Sequence, residues 1–170
     1  MQSPPDADPP MPALTPVPLS FFESAPVCVT SHRLVKGAAA DIGARFDDAR
    51  FWVDGLRLGS VTWTSPRPHG THTTRTVEVG PIRVDEQFLA WEPTRVAFRL
   101  DHLNAPLVEA FAEDWRVVDA APGHSVVRWT VALRLRGPAR LLHPLARAAL
   151  RVAGWAALGQ LSRWLRDRPA

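Results

Sequence analysis

The sequence predicts an α+β domain: a curved antiparallel sheet of about seven strands against one long C-terminal helix, with two short helices after the first strand. Three observations point there. The chain has 170 residues, enough for one domain with a sizeable core. Strand-like segments follow one another from Ser60 to Arg136 with only short turns between them, the pattern of an antiparallel meander. After Pro138 the pattern switches to helical spacing and stays there to Arg166.

Taken in order, Met1–Pro18 holds seven prolines, which lack an N–H and restrict the residue before them. Residues 1–25 are therefore expected to be a Pro-rich flexible tail, and residues 26–168 a single domain. Val27–Val35 is rich in β-formers and reads as the first strand. Gly37–Leu56 carries Ala38, Ile42, Phe46, Val53 and Leu56 at broadly helical spacing. Gly43, Gly55 and the Asp47–Asp48 pair divide it into two short helices. Strands are expected at Ser60–Thr64, Thr73–Val79, Ile82–Trp91, Arg95–His102, Leu107–Val118 and Ser125–Arg136. Their turns fall at Gly80-Pro81, Glu92-Pro93-Thr94, Asn104-Ala105-Pro106 and Ala121-Pro122-Gly123.

In the last element Leu141, Leu142, Leu145, Ala148, Ala149, Val152, Trp155, Ala156, Leu161, Trp164 and Leu165 supply an apolar side. Arg140, Arg147, Arg151, Arg163 and Arg166 lie largely off it. Pro144 kinks the run or moves its start, and Gly154 and Gly159 each lower helix propensity by about 1 kcal/mol. Such a helix needs packing, so its apolar side is assigned to the sheet. A sheet that curls under one helix can enclose a cavity.

This order resembles the helix-grip fold of the SRPBCC superfamily, which includes START-like proteins and the polyketide cyclase/dehydrase family. Val61-Thr62-Trp63-Thr64-Ser65-Pro66 with Gly70-Thr71-His72-Thr73-Thr74-Arg75-Thr76-Val77 is similar to that group's second strand, loop and third strand. Glu86–Pro93 running on to Arg95–Arg99 resembles its strand, WEP turn and strand. Glu113-Asp114-Trp115, Pro122-Gly123 and Val127–Val131 resemble its closing hairpin. The resemblance covers about residues 26–166 and implies the fold. It does not choose among lipid carriers, receptors and cyclases.

Composition narrows the classes. One cysteine, Cys28, excludes an intramolecular disulfide and a four-cysteine zinc site. The longest uncharged stretch near the C-terminus, Val152–Ser162, is too short for a membrane span of about 20 residues. A signal-peptide pattern is lacking, so the protein is expected in the cytoplasm. Arg outnumbers Lys by 19 to 1, yet the net charge is only +3 and the charges run mixed along the chain. No nucleic-acid partner is expected. A basic amphipathic helix can lie on an anionic membrane, so peripheral contact through the C-terminal helix stays open, as does monomer or homodimer. G-x-S-x-G, P-loop, G-x-G-x-x-G and H-E-x-x-H are absent, and neither cofactor nor metal is expected.

Alternation assigns the site. With a two-residue turn at Gly80-Pro81, Arg75 falls opposite Glu86, Val77 opposite Val84 and Val79 opposite Ile82. The face with Arg75, Val77, Val84, Glu86, Phe88 and Ala90 is mostly apolar and becomes the cavity face. Neighbouring strands add Trp63, Phe98, Glu113, Trp115 and Trp129 among others. The expected ligand-binding set is Trp63, Arg75, Glu86, Phe88, Phe98, Trp115 and Trp129, around a hydrophobic or polycyclic small molecule, lipid or polyketide-like. The same aromatics also suit a plain core. Arg75 and Glu86 read either as a cross-strand ion pair or as ligand-orienting groups. Glu86 and Glu113 are the candidate proton-transfer carboxylates, because a dry cavity raises a carboxyl pKa. His69 and His72 are read as exposed loop residues and Cys28 as a buried small apolar group. Function then divides three ways. The first is a binding module, the second a polyketide cyclase/dehydrase, and the third an interaction module with a closed, fully packed pocket.

Overall fold

The computed structural model describes residues 11–167. Seven strands form one antiparallel sheet in the order β1-β7-β6-β5-β4-β3-β2. They are β1 Val27–Lys36, β2 Ser60–Trp63, β3 Thr74–Val79, β4 Ile82–Glu92, β5 Arg95–Leu103, β6 Val108–Ala121 and β7 His124–Leu135. From β2 to β7 each strand pairs with the next, and β1 closes the far edge on β7. Chain-adjacent pairing follows from the turns. Gly80 at φ 57° and Gly123 at φ 71° adopt the left-handed backbone that two-residue hairpins demand. The first of these turns sets the register Arg75↔Glu86, Val77↔Val84 and Val79↔Ile82, as alternation predicts.

Between β1 and β2 run α2 Ala39–Gly43, a 3₁₀ turn Ala44–Asp47 and α3 Ala49–Leu56. The Asp48 side chain caps α3 by accepting from Arg50 N–H at 2.9 Å. A second 3₁₀ turn, Gly137–Leu142, leads into α4 His143–Asp167, 25 residues long. Pro144 therefore sits in the first turn of α4 and does not kink it. The helix lies along β1 and against α3. Gly154 permits that approach: a Cβ there would stand 2.1 Å from Ser31 Oγ.

Two expectations need correction. Residues 1–10 of the expected tail lie outside the described residues, but the rest is structured. The strands β5 and β6 pair only from Arg95↔Arg116 to Arg99↔Ala112. Where they diverge, the N-terminal segment enters: Leu14 N donates to Asp101 O, Thr15 N to Glu109 O, and Leu103 N to Pro12 O. Leu14 is buried, and Val17 and Phe21, the latter in α1 Phe21–Ser24, cover Ala110, Ala112 and Ala132 on the outer face. The prolines forbid a helix here but not an extended strip whose remaining N–H groups find strand carbonyls.

The second correction concerns α4. The sheet takes one narrow side of it, deeply through Gly154, Leu158, Leu161 and Leu165, with Trp164 also buried, and more loosely through Ala146 and Leu150, which pack against Val27, Val29, Leu133 and Leu135. Leu141, Leu142, Leu145, Val152 and Trp155, all assigned to the sheet from spacing, are exposed. A long apolar pattern does not say which part of it finds a partner.

Candidate functional site

The concave face of the sheet, roofed by α3 and α4, encloses a cavity of about 410 Å³. Its floor is set by alternation along the strands: Val77 and Val84 from β3 and β4, Leu100 from β5, Phe111 from β6, Leu133 from β7. Its roof is Trp52 and Leu56 of α3, Leu58, and Ala157 of α4. Val79 and Ile82, at the tip of the β3–β4 hairpin, both line the cavity and reach solvent, so they mark its mouth.

Three charged side chains enter this apolar space. Arg75 is 1% exposed, and its Nε donates to Glu86 Oε2 at 2.5 Å. Its guanidinium lies 4.0 Å from the Trp52 ring and 4.8 Å from that of Phe98, so aromatic faces hold a cation that water cannot reach. Arg75 Nη1 is buried and has no hydrogen-bond partner. Glu113 Oε2 accepts two indole N–H groups, Trp115 Nε1 at 2.9 Å and Trp129 Nε1 at 2.7 Å. Those rings are cross-strand partners, stacked with centroids 5.1 Å apart. Both bonds fall on Oε2, and among the described residues no group bonds Oε1.

The carboxyls differ in charge. Burial and the nearby Glu86 raise the Glu113 pKa to about 7, and the two indole bonds offset this in part. Burial also pushes Glu86 upward, against the pull of Arg75. Only Glu86 has a cation within hydrogen-bond reach, so Glu86 keeps the charge and Glu113 is the carboxyl that takes up a proton.

Of the expected ligand-binding residues, Arg75, Glu86, Phe98, Trp115 and Trp129 line the cavity, together with Glu113. Trp63 and Phe88 do not. Their rings, 5.8 Å apart, pack behind Arg75 in the closed part of the core. They share the inward face, but the space in front of them is filled. The sequence reading placed Leu56 with Val53 in the helical apolar set but gave it no part in the site, and it left Trp52 out altogether. The i, i+4 pair Trp52–Leu56 was the available signal.

The histidines also differ from expectation. His69 is enclosed: its ring stacks on Trp63 at 4.2 Å and Nδ1 bonds Asp47, whose other oxygen holds Arg67. His72 is exposed with φ 72°. No three His, Cys, Asp or Glu side chains converge for a metal among the described residues. Cys28 is half-buried rather than buried, with its thiol pKa raised by burial.

Residues 27–165 match the model of the family described as polyketide cyclase / dehydrase and lipid transport. The chain belongs to that family. Curated relatives include uncharacterized proteins of Mycobacterium tuberculosis and Mycobacterium bovis, 41% identical over 148 residues and covering 78% of this chain and 83% of theirs. Among solved structures, a START superfamily protein from Mycobacterium smegmatis matches with TM-score 0.63 at 11% identity, over 81% of this chain and 98% of that one. A hypothetical protein from Helicobacter pylori gives TM-score 0.68 at 17% identity, over 93% and 99%. Norcoclaurine synthase from Thalictrum flavum, solved with dopamine and hydroxybenzaldehyde, gives 0.62 at 14%, over 92% and 96%. These likenesses establish the helix-grip fold for this family member.

Proposed function

We propose that the protein binds a compact, largely apolar small molecule bearing one acceptor oxygen, in the cavity between sheet and helices. The observation that carries this is the unpaired Arg75 Nη1 in a lining that is apolar apart from Arg75, Glu86 and Glu113. A buried donor without a partner costs about 1–3 kcal/mol, and a ligand carbonyl, phenolate or carboxylate would recover it. Protonated Glu113 would give the same oxygen a second donor. The volume lies toward the small end of the roughly 300–1,000 Å³ of ligand pockets, which favours a molecule of drug size over a fully enclosed two-chain lipid. The family description and a structural neighbour solved with two small aromatic molecules agree with this class.

Calorimetric titration with 2-acetylnaphthalene and with 2-ethylnaphthalene, which has the same shape without the oxygen, tests it. Both should bind one to one, the ketone about tenfold or more tighter through the charged donor. Saturable binding of neither would end the proposal.

A second reading, proton transfer, is favoured by Glu113: a carboxyl near pKa 7 with Oε1 open to the cavity. Ionised Glu113 would take a proton from carbon next to a bound ketone. The C–H electron pair would move to the carbonyl oxygen as an enolate, held by Arg75. In deuterated buffer the methyl protons of 2-acetylnaphthalene should then exchange, and Glu113→Gln should slow this about 10²–10⁴-fold. Exchange no faster than in buffer leaves binding alone. The closed interaction module requires a filled interior, and a cavity of about 410 Å³ argues against it.

A further inference from the structure

One side of the N-terminal half of α4 is left uncovered by the sheet. Across Leu145, Ala148, Ala149, Val152 and Ala156, the side of α4 opposite Gly154 is solvent-facing and wholly apolar. Trp155 beside it is 73% exposed, and Leu141 and Leu142 of the preceding 3₁₀ turn extend it. Soluble proteins seldom leave a continuous patch of this kind without a partner. Its charge setting names the partner. Residues 120–166 contain eight Arg and no Asp or Glu, while the rest of the chain is net acidic. The charges are thus less evenly mixed than the small net charge implies. Exposed Arg151 borders the apolar strip on the side of Trp155 and has no carboxylate partner among the described residues, whereas Arg147 turns toward the sheet and donates to Pro26 O at 2.9 Å.

We infer that this exposed side of α4 lies in the surface of an anionic lipid bilayer, apolar strip inward and Arg151 at the headgroups. An exposed Trp, several Leu along the 3₁₀ turn and the helix, and a bordering Arg match what an interfacial helix needs. Arginine stems can follow the apolar strip while the guanidinium reaches phosphate. A second copy of the chain fits worse, because two such helices face to face would bring arginines together with no acid between them.

The rim of the cavity at the β5–β6 turn is tied to the 3₁₀ end of this surface. Exposed Leu107 precedes β6, and its carbonyl accepts Arg136 N–H at 2.8 Å, just before the 3₁₀ turn that bears Leu141. Ala105 and Val108, on either side of Leu107, line the cavity. A bilayer against α4 would therefore sit beside that rim, and an apolar molecule would pass between lipid and protein with little exposure to water. The docking itself does not depend on what the cavity holds.

Co-sedimentation of the full chain with vesicles tests it. Vesicles of 30% phosphatidylglycerol in phosphatidylcholine should bind the protein, and pure phosphatidylcholine should bind it at least tenfold more weakly. Raising salt from 0.05 to 0.5 M should weaken the anionic binding strongly. Val152→Asp/Trp155→Ser should lose tenfold or more of it at unchanged melting temperature and unchanged 2-acetylnaphthalene binding. Arg151→Gln should lose about fivefold. Three outcomes would overturn the proposal. They are no binding to anionic vesicles, equal binding by wild type and the Val152→Asp/Trp155→Ser variant, and a lipid-free dimer that this variant abolishes.

Discussion

The two ends of one concave sheet face have opposite fates. At one end Phe46, Phe51, Trp52, Phe98 and Trp115 interlock, with Trp52 in edge contact with Phe51 at 5.1 Å, Trp115 at 5.7 Å and Phe98 at 6.0 Å. At the other, Val77, Val84, Leu100, Leu103 and Leu133 surround empty space. Both ends follow the same two-residue alternation. The difference comes from above: α3 drives two aromatic side chains into the first end, then terminates at Leu56 with Arg57 in left-handed backbone. Trp52 roofs the near edge of the cavity, and past it only Leu56, Leu58 and Ala157 cover the sheet, none large enough to fill the gap. Arg75, Glu86 and Glu113 stand at the boundary, buried enough for their charges to matter and open enough to meet a ligand. Inward periodicity therefore specifies a face, and the bulk of the covering elements decides whether that face is core or cavity.

Truncation should separate the ends most sharply. Trp52→Ala removes the ring on which the interlocked end closes, and which also roofs the near edge of the cavity, and should cost about 3–5 kcal/mol. Leu103→Ala, beside space that is already empty, should cost about 2 kcal/mol, the low end for a leucine. Denaturant unfolding compares them, and equal losses would erase the distinction.

The boundary comes next. Glu86→Gln leaves Arg75 buried without its counter-ion, and breaking such a pair costs about 3–5 kcal/mol. Part of this should be recovered, because losing Glu86 removes one cause of the raised Glu113 pKa and lets Glu113 ionise toward Arg75. Glu86→Gln/Glu113→Gln should then fall further than the sum of the single variants. Additivity would show that the two carboxyls do not share the arginine.

Glu113 alone should show in a pH series. Its pKa in the fold, about 7, is above the ordinary 4.5, so the folded state holds this proton more tightly than the unfolded chain does. That contribution is complete below about pH 4.5 and is lost as pH rises through 7. The ionised carboxylate then costs up to about 3 kcal/mol, from 1.36 kcal/mol per pKa unit. Glu113→Gln should remove the loss and be the more stable protein at pH 8. A wild type whose unfolding free energy, relative to this variant, does not fall between pH 4.5 and 7 would contradict the assignment.

Smallest of all should be filling the hollow. Val84→Phe/Leu133→Phe adds two rings where there is room and should leave stability within about 1 kcal/mol. Val96→Phe, at a position with no exposed surface in the packed core, should cost about 1–3 kcal/mol.

The strands, their register and the inward face were legible because period-two alternation and Gly-turn chemistry are local properties. The Arg75–Glu86 pairing followed from a single turn length. The cavity boundary was not legible. Whether Trp63 and Phe88 meet a ligand or one another depends on how far α3 extends above them, a tertiary fact. The indole clamp on Glu113 depends on side-chain rotations that spacing does not encode. On α4 the apolar pattern was plain, yet which side the sheet would cover rested on Gly154 meeting Ser31, a contact 123 positions apart in the chain. The N-terminal prolines indicated where no helix forms, but not that a strip beside them would fit between two diverging strands.

The central claim is that the aliphatic end is kept empty for a ligand. Titration of 2-acetylnaphthalene into wild type and into Val84→Phe/Leu133→Phe, at matched melting temperature, tests it most directly. One-to-one binding by wild type and none by the filled variant is the expected result. Equal binding by both, or none by wild type, would contradict it.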